Sequence, residues 1–101
     1  VFQPHQRHRT RALMGELAEA LAAAPGEIVI PEVFDVAGRE QGVVVSSREL
    51  AEQVNGLGGQ ALFAPDLAGA ETLIRAKAAG YDVILMMGAG DIDSLARKIV
   101  Q

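Results

Sequence analysis

The chain has 101 residues, 13 of them acidic and 9 basic, and it contains no cysteine. A chain of this length forms one domain with a modest core, and its acidic balance argues against a general nucleic-acid-binding surface. The absence of cysteine excludes disulfides and thiol-based sites. No apolar run approaches the roughly 18 to 20 residues that cross a bilayer. No apolar segment follows the basic residues near the N-terminus, so we expect that this stretch is not a signal peptide. Because the sequence begins at Val1 without an initiator methionine, we expect a fragment of a longer protein.

Hydrophobic spacing in the first third predicts a strand, a helix and a second strand. Residues 1–3 end the first strand, which Pro4 closes. Thr10 is the predicted N-cap of the helix, which Pro25 and Gly26 stop. The second strand covers residues 27–34, with Pro31 interrupting its ladder. The apolar face of the predicted helix comprises Leu13, Leu17, Ala20, Leu21 and Ala24.

The rest of the chain continues this alternation after a loop over residues 35–45. Ser46 and Glu49 have the spacing of a capping box, and their helix should end near Asn55 and Gly56. A short strand over 60–64, a helix from Asp66 to Gly80, an apolar strand over 81–87 and a helix from about residue 91 follow. This order predicts an α/β fold, a Rossmann-like three-layer α-β-α arrangement with a mainly parallel sheet.

Three loops, over residues 4–11, 35–45 and 88–91, follow the carboxyl ends of predicted strands, where α/β sheets bind ligands. The first contains His5, Arg7, His8, Arg9 and Arg11. Guanidinium groups bind carboxylate or phosphate through paired hydrogen bonds, so this cluster suggests a small anionic ligand. A solvated basic turn is the alternative. His5 and His8 lack an obvious third ligand nearby, so we predict no metal site.

The third loop reads Gly88-Ala89-Gly90-Asp91 and separates an apolar strand from a helix. Small residues there allow a ligand or a backbone to approach closely. The dinucleotide fingerprint G-x-G-x-x-G is incomplete, because Asp93 stands at its last glycine. Gly88, Ala89, Gly90 and Asp91 are therefore candidates for a loop near a nucleotide or phosphate. A tight turn with Asp91 as the helix N-cap is the alternative.

Several of these segments resemble UDP-N-acetylmuramate–L-alanine ligases. Residues 1–5 followed by Arg9-Thr10-Arg11 are similar to the F-Q-P-H-x-x-x-R-T-R segment of that family. Further segments match family stretches in the same order, and the resemblance covers essentially the whole chain. These segments are Glu32-Val33-Phe34, Ala37-Gly38, Ser47-Arg48 and Gly88-Ala89-Gly90-Asp91-Ile92.

The resemblance implies that residues 1–101 are the C-terminal domain of a three-domain cytoplasmic ligase of peptidoglycan synthesis, without its first strand-helix unit. Such an enzyme activates the carboxylate of UDP-N-acetylmuramate as an acyl phosphate, which the amine of L-alanine then attacks. ATP and Mg²⁺ would be bound mainly by the central domain, so the fragment alone should be inactive. The implied partners are the two substrates and the other domains, with no nucleic acid and no membrane.

By position in the resembling motif, His5 and Arg9 match residues close to the incoming amino acid. Gln6 stands where many family members have arginine, and the adjacent Arg7 could supply that cation. The predicted substrate-binding residues are therefore His5, Gln6, Arg7 and Arg9, with no catalytic residue in this domain. Arg11 is either structural or substrate-facing. A missing strand would also expose an apolar sheet edge and favour self-association.

Three other interpretations fit parts of the sequence. Another ligase of the same superfamily would lack the Gln-Pro-His sequence of residues 3–5. A receiver-like or nucleotide-sensing α/β module, acting by binding alone, would need an acidic cluster after its first strand. A piece of a nicotinamide-dependent oxidoreductase is disfavoured by the incomplete glycine fingerprint.

Overall fold

Helices alternate with short strands throughout the part of the chain that the structure, a computed structural model, describes: residues 1–33, 45–88 and 91–100. The elements are α1 (Arg7–Ala23), β1 (Ile28–Pro31), α2 (Ser47–Gly56), β2 (Ala61–Ala64), α3 (Leu67–Lys77), a 3₁₀ turn (Ala78–Gly80) and α4 (Ile92–Ile99). No helix among these residues is long and apolar enough to cross a membrane.

Strands β1 and β2 pair in parallel, with Ile28 opposite Ala61 and Pro31 opposite Ala64. On the other side of β1, the Phe2 N–H donates to the Val29 carbonyl at 3.0 Å. Residues 83–87 then lie beyond residues 1–3, and Phe2 forms a parallel bridge with Met87. The order across the sheet is thus β2, β1, residues 1–3 and residues 83–87. These parallel pairings confirm the predicted α/β class.

Each face of the sheet carries its own core, because side chains alternate along a strand. Ile28 and Ile30 belong to the first core, between the sheet and helices α1 and α2. Val29 belongs to the second core, between the sheet and helices α3 and α4. The first core also contains Met14, Ala18, Leu50, Ala51 and Val54, and the second contains Ala64, Ala70, Ile74 and Leu95. The predicted helices on both faces are therefore present.

Helix α1 differs from its prediction at its start and in its buried face. It begins at Arg7, and Thr10 lies inside it, where the Thr10 hydroxyl donates to the Gln6 carbonyl at 2.8 Å. A threonine hydroxyl can satisfy the carbonyl four residues back within a helix, so the predicted Thr10 cap is wrong. The buried residues are Thr10, Met14 and Ala18, while Leu13 is 43% exposed. The apolar stripe is consequently rotated from the one that we predicted.

The other helix starts agree better with the sequence. Ser46 caps α2 by accepting from the Arg48 N–H at 3.1 Å, and Asp66 caps α3 by accepting from the Gly69 N–H at 2.7 Å. Asp91 occupies the N-cap position of α4 but makes no side-chain capping bond. The predicted capping box is wrong in one respect, because the Glu49 carboxylate pairs with Arg11 of α1 at 2.9 Å.

The predicted strands are longer than the observed ones. Residues 81–87 form only the bridge at Met87, because their neighbour on the inner side is just the three residues 1–3. Pro31 ends β1 without interrupting its pairing to β2, since the Glu32 N–H still donates to the Ala64 carbonyl at 2.9 Å. The α-helix before Gly80 ends at Lys77, and Gly80 closes the 3₁₀ turn instead.

One sheet face is left open at the 83–87 edge. Val83 is 78% exposed and Leu85 64% exposed, whereas Ile84 and Met86 pack against the second core. The open face forms one wall of an apolar groove of about 510 Å³, whose opposite wall includes Leu21 of α1. An exposed apolar edge of this kind was expected from the sequence; self-association through it stays a prediction.

Candidate functional site

A small cleft of about 250 Å³ lies at the carboxyl ends of the strands, where the chain leaves residues 1–3 and enters α1. His5 and Arg9 line the cleft together with Gly88 from the end of the 83–87 segment. Its apolar wall includes Leu13 and Leu17 of α1. The cleft therefore combines two polar, nitrogen-bearing side chains with an apolar surface of modest size.

The turn from residue 3 to residue 7 sets the position of these side chains. Gln3 is buried, and its N–H donates to the Met87 carbonyl at 3.0 Å. Gln6 then reverses the chain with a φ of 64°, in the left-handed region, and its carbonyl accepts from the Thr10 N–H at 3.0 Å. The first turn of α1 contains no acidic residue. The partial positive charge at the N-terminus of α1 therefore adds to the charge of Arg9 at the cleft edge.

The structure brings together only some of the residues predicted to bind substrate. His5 and Arg9 share the cleft with Gly88, whereas Gln6 and Arg7 are not among the described residues that line it. Gln6 instead supplies the turn before α1. Of the other loop, Asp91 is exposed at the start of α4, and the predicted residues Ala89 and Gly90 lie outside the described residues.

Gly88 has a structural reason to be glycine. Its φ is 153°, which L side chains rarely adopt. A Cβ added there would lie 3.0 Å from the Gln3 carbonyl oxygen and 3.3 Å from the Gln3 Cβ. The glycine thus lets the 83–88 segment pack closely against the turn that carries His5. Its proximity to a nucleotide or phosphate stays a prediction.

Arg11 is engaged within the protein. Its guanidinium donates two hydrogen bonds to the Glu49 carboxylate, at 2.9 and 3.0 Å, and so links α1 to α2. The hydrogen bonds to Glu49 raise the pKa of Arg11 above its usual value. Both side chains remain substantially exposed, so this is a surface pair of modest energetic value. Of the two roles left open for Arg11, the structural one agrees with this geometry.

Glu32, directly after β1, is a residue that our list of site residues omitted. Its carboxylate accepts from the Ser46 hydroxyl at 2.7 Å, the Ser47 N–H at 2.8 Å and the Val33 N–H at 2.9 Å. Burial raises the pKa of Glu32, but these hydrogen bonds and the charge of Arg7 outweigh it, so that the pKa lies below its usual value. The sequence signal for Glu32 was the position of its carboxylate, directly after the carboxyl end of a buried parallel strand.

Comparison with known proteins gives a consistent family. No family model matches the chain, but curated relatives match almost all of it. It is 39% identical over 97 residues to the UDP-N-acetylmuramate–L-alanine ligase of Acidithiobacillus ferrooxidans, which is 96% of this chain and 20% of that protein. It is 40% identical over 101 residues to the enzyme of that name from Mycobacterium avium, which is 99% of this chain and 19% of that protein. Acetivibrio thermocellus has another, 33% identical over 92 residues.

Over nearly its whole length the chain is similar to one segment of UDP-N-acetylmuramate–L-alanine ligases. It spans about one fifth of the length of these relatives, in a segment of the C-terminal type. The similarity of the sequence to this ligase family, first inferred from short motifs, is thereby confirmed.

The metal and nucleotide chemistry that the ligase family implies is not assigned to this part of the chain. Among residues 1–33, 45–88 and 91–100, no group of three or more histidine, aspartate or glutamate side chains could hold a metal ion.

Proposed function

We propose that this chain is the amino-acid-binding and closure domain of an ATP-dependent ligase that joins L-alanine to UDP-N-acetylmuramate in peptidoglycan synthesis. The observation that carries the proposal is the cleft at the start of α1, where His5 and Arg9 meet an apolar wall. We place the enzyme in the cytoplasm and assign ATP and Mg²⁺ mainly to another domain of the intact protein.

The chemistry of the cleft suits a small amino acid. The planar guanidinium of Arg9 can donate two parallel hydrogen bonds to a carboxylate, and the N-terminus of α1 favours a negative charge nearby. His5 supplies an imidazole that can donate to the same carboxylate or to a substrate oxygen. Leu13 and Leu17 offer apolar contact of the kind that a methyl side chain needs. L-alanine has both groups, a carboxylate and a methyl.

Domain closure has a physical purpose in such a reaction. An acyl phosphate hydrolyses when water reaches it, so the amine must attack inside a site from which water is excluded. The cleft lies at the carboxyl ends of the strands and is open to solvent, so it is accessible to another domain that closes over it. We therefore expect this chain alone to show no ligase activity.

The test is ATP-dependent phosphate release by the full-length parent protein, with UDP-N-acetylmuramate and each of L-alanine, L-serine, glycine and D-glutamate. We expect release that requires the UDP-sugar and has the highest kcat/KM with L-alanine. Preference for D-glutamate would assign the chain to a ligase for a different acceptor. No release with any amino acid would contradict the ligase function and favour a module that acts by binding.

A further inference from the structure

Glu32 joins three parts of the fold around the candidate site. Its N–H donates to the Ala64 carbonyl of β2 at 2.9 Å, and its carbonyl accepts from the side-chain amide of Gln3 at 3.3 Å. Its carboxylate binds the Ser46 hydroxyl and the Ser47 N–H at the start of α2. One residue thereby connects the sheet, the turn that carries His5 and the first turn of α2.

The contact with Gln3 matters because Gln3 is the anchor of the cleft. Gln3 is only 5% exposed and precedes the turn by which His5 and Arg9 reach the cleft. Its side-chain amide is held by Glu32, while its backbone is held by Met87. Displacement of Glu32 would therefore move the anchor of the turn without touching the cleft lining itself.

We propose that Glu32 is a positioning residue of the candidate site, which fixes the turn over residues 3–7 through Gln3 and the start of α2 through Ser46 and Ser47. On this proposal Arg9 is the arginine that binds the substrate carboxylate. The inference rests on the proposed function, because it concerns the geometry with which L-alanine is held.

The experiment uses the full-length ligase with Glu32→Gln, and with Glu49→Gln as a matched control. Glutamine keeps the size of the side chain but removes its charge, and it places an amide NH₂ where donors already point. Glu49 is also a carboxylate at the first turn of α2, but it pairs with Arg11 instead. Michaelis constants are measured for L-alanine, ATP and UDP-N-acetylmuramate in each variant.

We expect Glu32→Gln to raise the KM for L-alanine by roughly three- to tenfold, because small displacements of binding groups have large effects. The KM values for the other two substrates should stay within about twofold, as should all three values in Glu49→Gln. An unchanged KM for L-alanine in Glu32→Gln, or an equal rise for all three substrates, would overturn the positioning role. If Glu32→Gln does not fold, Glu32→Asp is measured against the same criteria.

If the unsubstituted enzyme releases no phosphate with L-alanine, the proposed function fails, and the role of Glu32 fails with it.

Discussion

Arg9 provides the sharpest test of the proposed site, because a second arginine two residues away serves as its control. Arg9 and Arg11 lie in the same part of α1 and both are exposed. Arg11 is tied to Glu49 by two hydrogen bonds, whereas Arg9 makes no ion pair with the described residues. The change Arg9→Gln thus removes a charge that lines the cleft without breaking an ion pair to residues 1–33, 45–88 or 91–100.

The size of the effect follows from the kind of bond. A hydrogen bond between a guanidinium and a carboxylate contributes about 1.5–3 kcal/mol, which corresponds to a loss of roughly 10- to 150-fold in kcat/KM for L-alanine. Since the side chain is exposed in this domain, we expect the lower half of that range unless closure buries it. The free energy of unfolding should change by less than about 0.5 kcal/mol, as is usual for surface positions.

The assay is phosphate release at varied L-alanine, with ATP and UDP-N-acetylmuramate saturating. Arg11→Gln is measured in parallel and should leave kcat/KM within about twofold, because the pair of Arg11 with Glu49 lies on the surface and away from the cleft lining. If Arg9→Gln and Arg11→Gln behave alike, then Arg9 is a solvated surface charge, and the assignment of the cleft to the amino acid is wrong.

Three further predictions concern the stability and titration of the chain. The stabilisation linked to ionised Glu32 should be present above its ordinary pKa and be lost as the pH falls below about 4, so thermal unfolding of Glu32→Gln should depend less on acid pH. Tyr81, the sole tyrosine, should titrate above about pH 10 by ultraviolet absorbance, because its hydrogen bond to Glu27 raises its pKa. Gly59→Ala should lower the free energy of unfolding by about 1–3 kcal/mol, since its Cβ would lie 2.6 Å from a Val54 methyl carbon.

Each of these predictions has a control. A parallel pH dependence in Glu32→Gln and the unsubstituted chain would mean that other carboxylates account for the acid sensitivity. Glu27→Gln should return the tyrosine titration towards its ordinary range, and an unmoved curve would contradict the hydrogen bond. Gly56→Ala at the end of α2 meets no atom within 4 Å. It should be neutral or stabilising by up to about 1 kcal/mol, so an equal loss in both glycine variants would contradict the packing argument.

Local patterns predicted the order of elements, the cap at Ser46 and the start of a helix near Asp66, because those signals lie within a few residues of each other. The start of α1 was missed, since Gln6 begins the helix with a backbone turn and no side-chain cap. The extent of the 81–87 strand depends on a partner more than 80 residues away, which periodicity does not contain.

The candidate site was also predictable only where it depends on local sequence. The position of His5 and Arg9 at a strand end could be inferred from the order of elements, and the structure places both in one cleft. The contacts of Glu32 join it to residues that lie 14 and 29 positions away in the sequence. The absence of Arg7 from the described cleft lining likewise depends on the folded chain. Spacing along the chain gives no access to contacts over such distances.

The two edges of the sheet differ in how readily a further strand can pair with them. The Asn55 side chain donates to the Ala61 carbonyl at 3.0 Å and accepts from the Ala61 N–H at 2.7 Å. Gln60 and Ala64 turn their carbonyls towards β1, so alternation along the strand directs the groups of Ala61 outwards. An amide side chain thus occupies the place that another backbone would take, and it blocks the β2 edge. We therefore expect a further strand to pair at the other edge of the sheet, next to residues 83–87.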